Sequence, residues 1–245
     1  MRHGGLGGSG AAAAAEGAPW LGAWEALEPA RLARGLRRRL NRSAGLALVG
    51  AILMLGGATT QARTGPTLPE PGTPVETGAA VKPVAAWSAF CERMPAECAV
   101  NTAEPAFIHL DAAIWRTLTS VNRRVNARIK PITDQAHWGV IDRWDYPDDG
   151  FGDCEDYQLL KRRMLTERGL PRRALRMTVV IDDIGEGHAV LMVRTDRGDF
   201  ILDNKTNAVL PWARTGYSYV KREGQDGTRW VSLNGGASPV TTANR

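Results

Sequence analysis

Gly152-Asp153-Cys154-Glu155-Asp156-Tyr157 is a cysteine wrapped in acid, and its two aspartates stand three residues apart, as the partners of a helix cap do. Asp153 is a good N-cap and Asp156 takes the capping-box position, so the spacing predicts a helix beginning at Cys154. It should run through Tyr157, Leu160 and Met164 and stop at Gly169-Leu170-Pro171. Upstream, Phe107, Leu110, Ile114, Leu118, Val121, Val125 and Ile129 recur at helical spacing behind Pro105, which predicts a long amphipathic helix ending before Pro131. Downstream come β-rich runs: Leu175 to Ile181, His188 to Thr195, Phe200 to Asp203, Tyr217 to Lys221 and Arg229 to Leu233. Turn residues separate them, Asp196-Arg197-Gly198-Asp199 and Gln225-Asp226-Gly227 among them. Helices first and an antiparallel meander afterwards make an α+β domain.

A cysteine on the first turn of a helix lies at the positive end of the helix dipole, which favours thiolate, and its amide could serve in an oxyanion hole. The base to match it is His188, which opens the apolar run Ala189-Val190-Leu191-Met192-Val193; His109 and His137 precede the cysteine, on a helix and in a loop. A strand histidine alone is usually structural. Beside a helix-capping cysteine it reads as a catalytic partner. Asp203 ends the next strand, where a carboxylate could orient the imidazole. A two-residue turn at Thr195-Asp196 would set 188 opposite 203. One at Arg197-Gly198 would pair 188 with 207 and leave Asp203 about 13 Å along the strand, with Asn204 as the reserve for the orienting role.

The acids beside the nucleophile raise a conflict, because Asp153, Glu155 and Asp156 should oppose thiolate formation. A hard cation held by Asp153 and Glu155, with loop acids such as Asp148 or Asp149, would remove that penalty. The plainer alternative is that Asp153 and Asp156 cap the helix while Glu155 faces water.

The chain has 245 residues, 43% of them apolar, and a formal charge of +5. That charge is local: residues 1–62 carry seven Arg against three Glu, and the remainder is close to neutral, which argues against a nucleic-acid partner. Arg31 to Arg42 form a positive flank, Ala44 to Ala58 an uncharged apolar run, and Thr60-Gln61-Ala62 a small-x-small cleavage candidate. The run falls short of the ~20 residues that span a bilayer. The expectation is therefore export to the periplasm with cleavage near Ala62, an uncleaved anchor being the alternative. Residues 1–62 are read as an N-terminal extension and signal peptide, 63–86 as an extended Pro-rich linker, and 87–245 as the folded domain. In an oxidising compartment Cys91 and Cys98 could close a short loop around Pro95 as a disulfide; two reduced cysteines are the alternative. Trp138, Trp144 and Tyr146 fall on an irregular stretch just ahead of Cys154, where aromatics more often cover a core edge than bind a ligand.

Val121-Asn122 through Asn126, Trp138-Gly139, Asp142-Arg143-Trp144, the six-residue cysteine motif, Lys161, Gly187-His188-Ala189-Val190-Leu191 and Leu202-Asp203-Asn204 together resemble the bacterial transglutaminase-like cysteine peptidases, the family of the LapG-type periplasmic proteases that process biofilm adhesins. The likeness covers roughly residues 87 to 233. It implies a papain-like or transglutaminase-like fold, a triad of Cys154, His188 and Asp203, and Ca²⁺-linked acidic positions at Asp153 and Glu155. It also implies a protein substrate, which for one branch is a large surface adhesin, with an inner-membrane regulatory receptor as companion. On this basis the expected activity is that of an exported cysteine endopeptidase. An acyltransferase acting on amine acceptors would share the thioacyl intermediate, and a catalytically silent periplasmic binding domain would keep only the fold.

Overall fold

The computed structural model describes residues 67–233; the expected signal peptide and the start of the linker lie outside them. In chain order the elements are β1 (Thr77–Val81), α1 (Ala85–Arg93), α2 (Pro95–Cys98), α3 (Ala112–Arg128), β2 (Lys130–Pro131), α4 (Asp134–His137), β3 (Phe151–Gly152), α5 (Cys154–Thr166), β4 (Leu175–Ile181), β5 (Gly187–Thr195), β6 (Gly198–Leu202), β7 (Leu210–Pro211), β8 (Ser218–Glu223) and β9 (Trp230–Leu233). The α+β class read from the sequence is observed, with the helices ahead of β4 to β9, but β1 precedes α1 and the short β2 and β3 fall among the helices. Among the described residues no helix is long and apolar enough to cross a membrane.

Seven strands form one antiparallel sheet in the order β1-β9-β8-β4-β5-β6-β7. Only β4 to β7 follow one another as a meander. β8 returns to the other flank of β4, Thr178 facing Arg222, and carries β9 and β1 beyond it. β4 and β5 are therefore central and buried along nearly their whole length, which is why Val179-Val180 and Ala189 to Val193 read as unbroken apolar runs. α5 lies on β5 and β4 and packs against α3.

The apolar stripe overstates α3 at its start. Asp111 is the N-cap, its Oδ1 accepting from Ile114 N at 2.7 Å. The preceding residues run extended along the β5–β6 hairpin, Ile108 N donating to Arg194 O at 2.9 Å and Asp196 N to Ile108 O at 3.0 Å. Leu110 is thus buried by docking on a hairpin, not by a helical face, and its spacing is shared with the helix by coincidence.

The linker reading needs a similar correction from residue 67 onward. This stretch is extended, as its prolines require, but it is docked on the domain. Arg197 Nη2 donates to Pro69 O at 3.0 Å, Gly72 N to Arg197 O at 2.9 Å and Val75 N to Asp199 Oδ2 at 2.8 Å. β1 then pairs with β9 and covers that edge of the sheet, a protection that exposed edges need.

A buried polar knot ties the layers. Glu223 of β8 accepts from Arg162 Nη1 of α5 at 2.8 and 2.9 Å, from Trp87 Nε1 of α1 at 2.7 Å and from Met177 N of β4 at 2.9 Å. Nearby, Cys91 and Cys98 are joined as a disulfide between α1 and α2, with Cα atoms 5.6 Å apart. The aromatics ahead of Cys154 divide. Trp144 and Tyr146 are core, set edge-on to Trp230 and Phe90, while Trp138 stands exposed under the Arg143 guanidinium.

Candidate active site

α5 begins at Cys154, and Asp156 Oδ2 accepts from the Asp153 amide at 3.4 Å, the capping-box contact its spacing predicts. Gly152 is required just ahead of the cap, because a Cβ there would lie 2.8 Å from Asp156 Cβ. The cysteine is buried in the helix's first turn. Its Sγ receives the Ala189 amide of β5 at 3.4 Å, so the thiol lies beside the residue that follows His188.

His188 and Asp203 are both buried and in contact, Nε2 to Oδ1 at 2.9 Å. The register that brings them together is neither of the two weighed from the sequence. Thr195 pairs with Gly198, so the hairpin turns at Asp196-Arg197, and Leu191 pairs with Leu202. Extending that register sets Asp203 opposite Val190, a diagonal neighbour of His188 on the same face, within reach of a long side chain. Gly198 makes the turn possible: its φ is +102°, and a Cβ there would lie 2.8 Å from Gly72 O.

The Asp203 carboxylate is fully engaged. Lys205 N donates to Oδ1 at 3.0 Å and Tyr217 Oη to Oδ2 at 2.6 Å. Burial opposes its charge, but the hydrogen bond and charge of His188, together with the Tyr217 hydroxyl, outweigh burial and pull the carboxyl down to about 2. An ionised carboxylate can only accept, so whenever the His188 ring is neutral its proton sits on Nε2 and its lone pair on Nδ1. Asn204 takes no part in this pair and accepts from Gln158 Nε2 at 3.3 Å.

The acids around Cys154 are buried rather than solvated, which excludes the reading that Glu155 faces water. The thiol donates to Glu155 Oε2 at 3.0 Å. Burial, then the charges of Glu155 and Asp153, push the thiol well above its ordinary range. Burial and the charge of Asp153 likewise raise Glu155 and Asp156, while burial and the charge of Asp134 push Asp153 up to about 7. Asp134, at the start of α4, is the member the sequence reading missed. It offers a carboxylate oxygen within 4.8 Å of those of Asp153 and Glu155, and its amide donates to Asp153 Oδ2 at 3.1 Å. Its one local signal was the Thr133-Asp134 helix start, and nothing linked it to a cysteine twenty residues on. Asp148 and Asp149, the loop acids considered for a cation, instead bond Arg163 at 3.0 Å and His137 at 2.8 Å.

Asp153 Oδ1 and Glu155 Oε1 are buried without a hydrogen-bond partner. Three buried carboxylates with two unsatisfied oxygens suit a hard, oxygen-seeking divalent cation; without one, their raised values favour a proton held between Asp153 and Glu155.

No curated protein matches. Solved structures of Legionella pneumophila LapG are similar to the chain. The calcium-bound form is 26% identical over 53% of this chain and 74% of that one, with a TM-score of 0.43. The EGTA-treated form is 28% identical over 50% and 68%, with a TM-score of 0.42. The profile of the family described as bacterial transglutaminase-like cysteine proteinase matches residues 76–238. The chain belongs to that family of bacterial transglutaminase-like cysteine proteinases.

Proposed function

We propose that the chain is an exported cysteine endopeptidase whose reacting groups are Cys154, His188 and Asp203. The observation that carries this reading is the buried His188–Asp203 pair at 2.9 Å, one residue from the amide that meets Cys154 Sγ at 3.4 Å. Asp203 holds the imidazole with its lone pair on Nδ1. His188 takes the thiol proton and Cys154 attacks a peptide carbonyl. The imidazolium then protonates the leaving amine, and water releases the acyl group with His188 again as base. A cysteine peptidase acts on protein; a large surface adhesin is the substrate proposed, with an inner-membrane receptor as regulator. The Cys91–Cys98 bridge suits an oxidising compartment such as the periplasm.

Asp134, Asp153 and Glu155 are the residues proposed to hold Ca²⁺. Bound there, the ion would supply the positive charge that offsets carboxylates otherwise opposed to the thiolate.

Comparing surface and released proteins from cells carrying wild type and Cys154→Ala tests the proposal. A fragment released only with the intact thiol identifies reaction and substrate together. Equal fragment patterns at equal protein levels would remove the peptidase reading.

A further inference from the structure

One partner of Asp203 plays no part in the proton transfers above. Tyr217, just before β8, donates its hydroxyl to Asp203 Oδ2 at 2.6 Å and sets its ring edge-on to His188, with centroids 5.9 Å apart and planes at 85°. A single side chain, carried on a different strand end from either residue, therefore touches both members of the pair.

The contacts constrain different motions. His188 Nε2 and Lys205 N hold Oδ1. With Oδ2 held by the phenol as well, the carboxylate cannot turn about its own axis, and the direction of its bond to the imidazole is fixed. The phenol ring, set perpendicular to the imidazole, closes one side of it and opposes tipping. Tyr217 and Asp203 also line a cavity of about 280 Å³ with Lys205, Thr215 and Leu210, so without the hydroxyl, water from that cavity would reach Oδ2. The hydroxyl keeps its proton, since burial and the neighbouring Asp203 charge raise it above its usual range.

We propose that Tyr217 is a positioning residue of the thiol site, acting through Asp203 and His188 on the reactivity of Cys154; this rests on the assignment of those three residues as the reacting groups. A purely structural role is the competing explanation, because Tyr217 also packs against the core cluster of Val75, Val180 and Tyr219. The two separate in the pH dependence of the thiol.

With Cys91 and Cys98 bridged, Cys154 holds the remaining thiol of the chain, so alkylation by iodoacetamide reports on it alone. The rate constant is measured across pH, in buffer containing calcium chloride, for wild type, Tyr217→Phe, Tyr217→Leu and His188→Ala, with a melting curve for each. Tyr217→Phe keeps the ring and is expected to melt as wild type does, to react about tenfold more slowly at neutral pH, and to displace the midpoint of the pH profile. Tyr217→Leu, which also removes the ring edge, is expected to displace it at least as far. A displaced midpoint supports the proposal; an undisplaced one in both tyrosine variants overturns it, whatever their rates or melting temperatures. His188→Ala guards the underlying assignment. If that variant keeps the wild-type profile, the thiol–imidazole reading fails; if it shifts while the tyrosine variants do not, only the role of Tyr217 fails.

Discussion

Cys154 Sγ donates to Glu155 Oε2 at 3.0 Å, so the protonated thiol is stabilised by one of the carboxylates proposed to hold a cation. Drawing Glu155 toward a cation would weaken that bond. Removing Ca²⁺ with EGTA is therefore expected to slow alkylation of Cys154 and to lower the melting temperature. An ion present at a hundredfold its dissociation constant contributes about 2.7 kcal/mol, or roughly 5–10 °C for a domain of this size. Asp134→Asn should mimic the chelator, although Asp134 is far from Cys154 in sequence. Unchanged melting and reactivity in both experiments would exclude a metal at this cluster.

The same acids set a pH dependence. Asp153 is raised to about 7, with Glu155 and Asp156 raised too, so the folded chelated protein binds more protons than the unfolded chain above pH 4. The stability Asp153 gives is full below its unfolded value and is lost as pH rises through about 7, by about 2–4 kcal/mol, and Glu155 and Asp156 act in the same direction. Asp203 works in the opposite sense, with its contribution present above pH 4 and lost only as pH falls toward 2. Chelated protein is thus expected to melt highest near pH 4–5, and added calcium should flatten the decline toward neutrality. A chelated melting temperature that rises from pH 5 to 7 would contradict the buried-acid account.

Asp203→Asn tests the orienting carboxylate. The amide can present its NH₂ to Nε2 and favour the wrong tautomer, so kcat/KM on the released-fragment substrate should fall by about 10³–10⁴. Melting should change far less. Activity within a few-fold of wild type would take Asp203 out of the mechanism.

Glu223→Gln should damage the fold instead of the chemistry. It removes the charge facing Arg162, which is 1% exposed, and weakens the junction that also holds Trp87 and Met177. Breaking a buried pair costs about 3–5 kcal/mol, visible as an earlier denaturation midpoint. Arg162→Met with Glu223→Gln should recover part of that loss, which a double-mutant cycle would measure.

Much of this arrangement was legible in the chain, and the parts that were not have physical causes. The start of α5 is a local property, set by Asp153 and Asp156 three residues apart, and local spacing revealed it. Central strands β4 and β5 announce themselves because both faces are buried. The contact of His188 with Asp203 depends on where one hairpin turns, and that depends on Gly198 adopting a positive φ against the Gly72 backbone. A segment more than a hundred residues earlier thus helps to fix it. Asp134 and Tyr217 reach the site through tertiary packing alone. The prolines between residues 67 and 84 go with extended backbone, but whether such backbone docks depends on partners such as Arg197 and Asp199, which composition does not reveal.

The first turn of α5 carries one further implication. Asp153 meets the Asp134 amide, Cys154 the Ala189 amide, Glu155 the thiol and Asp156 the Asp145 amide. Four consecutive side chains are each committed to a different neighbour, yet all share one electrostatic field. Substitutions here will not combine independently, because the charge of each acid acts on the other acids and on the thiol. Drift across this tetrad would therefore favour coordinated pairs of changes over single ones.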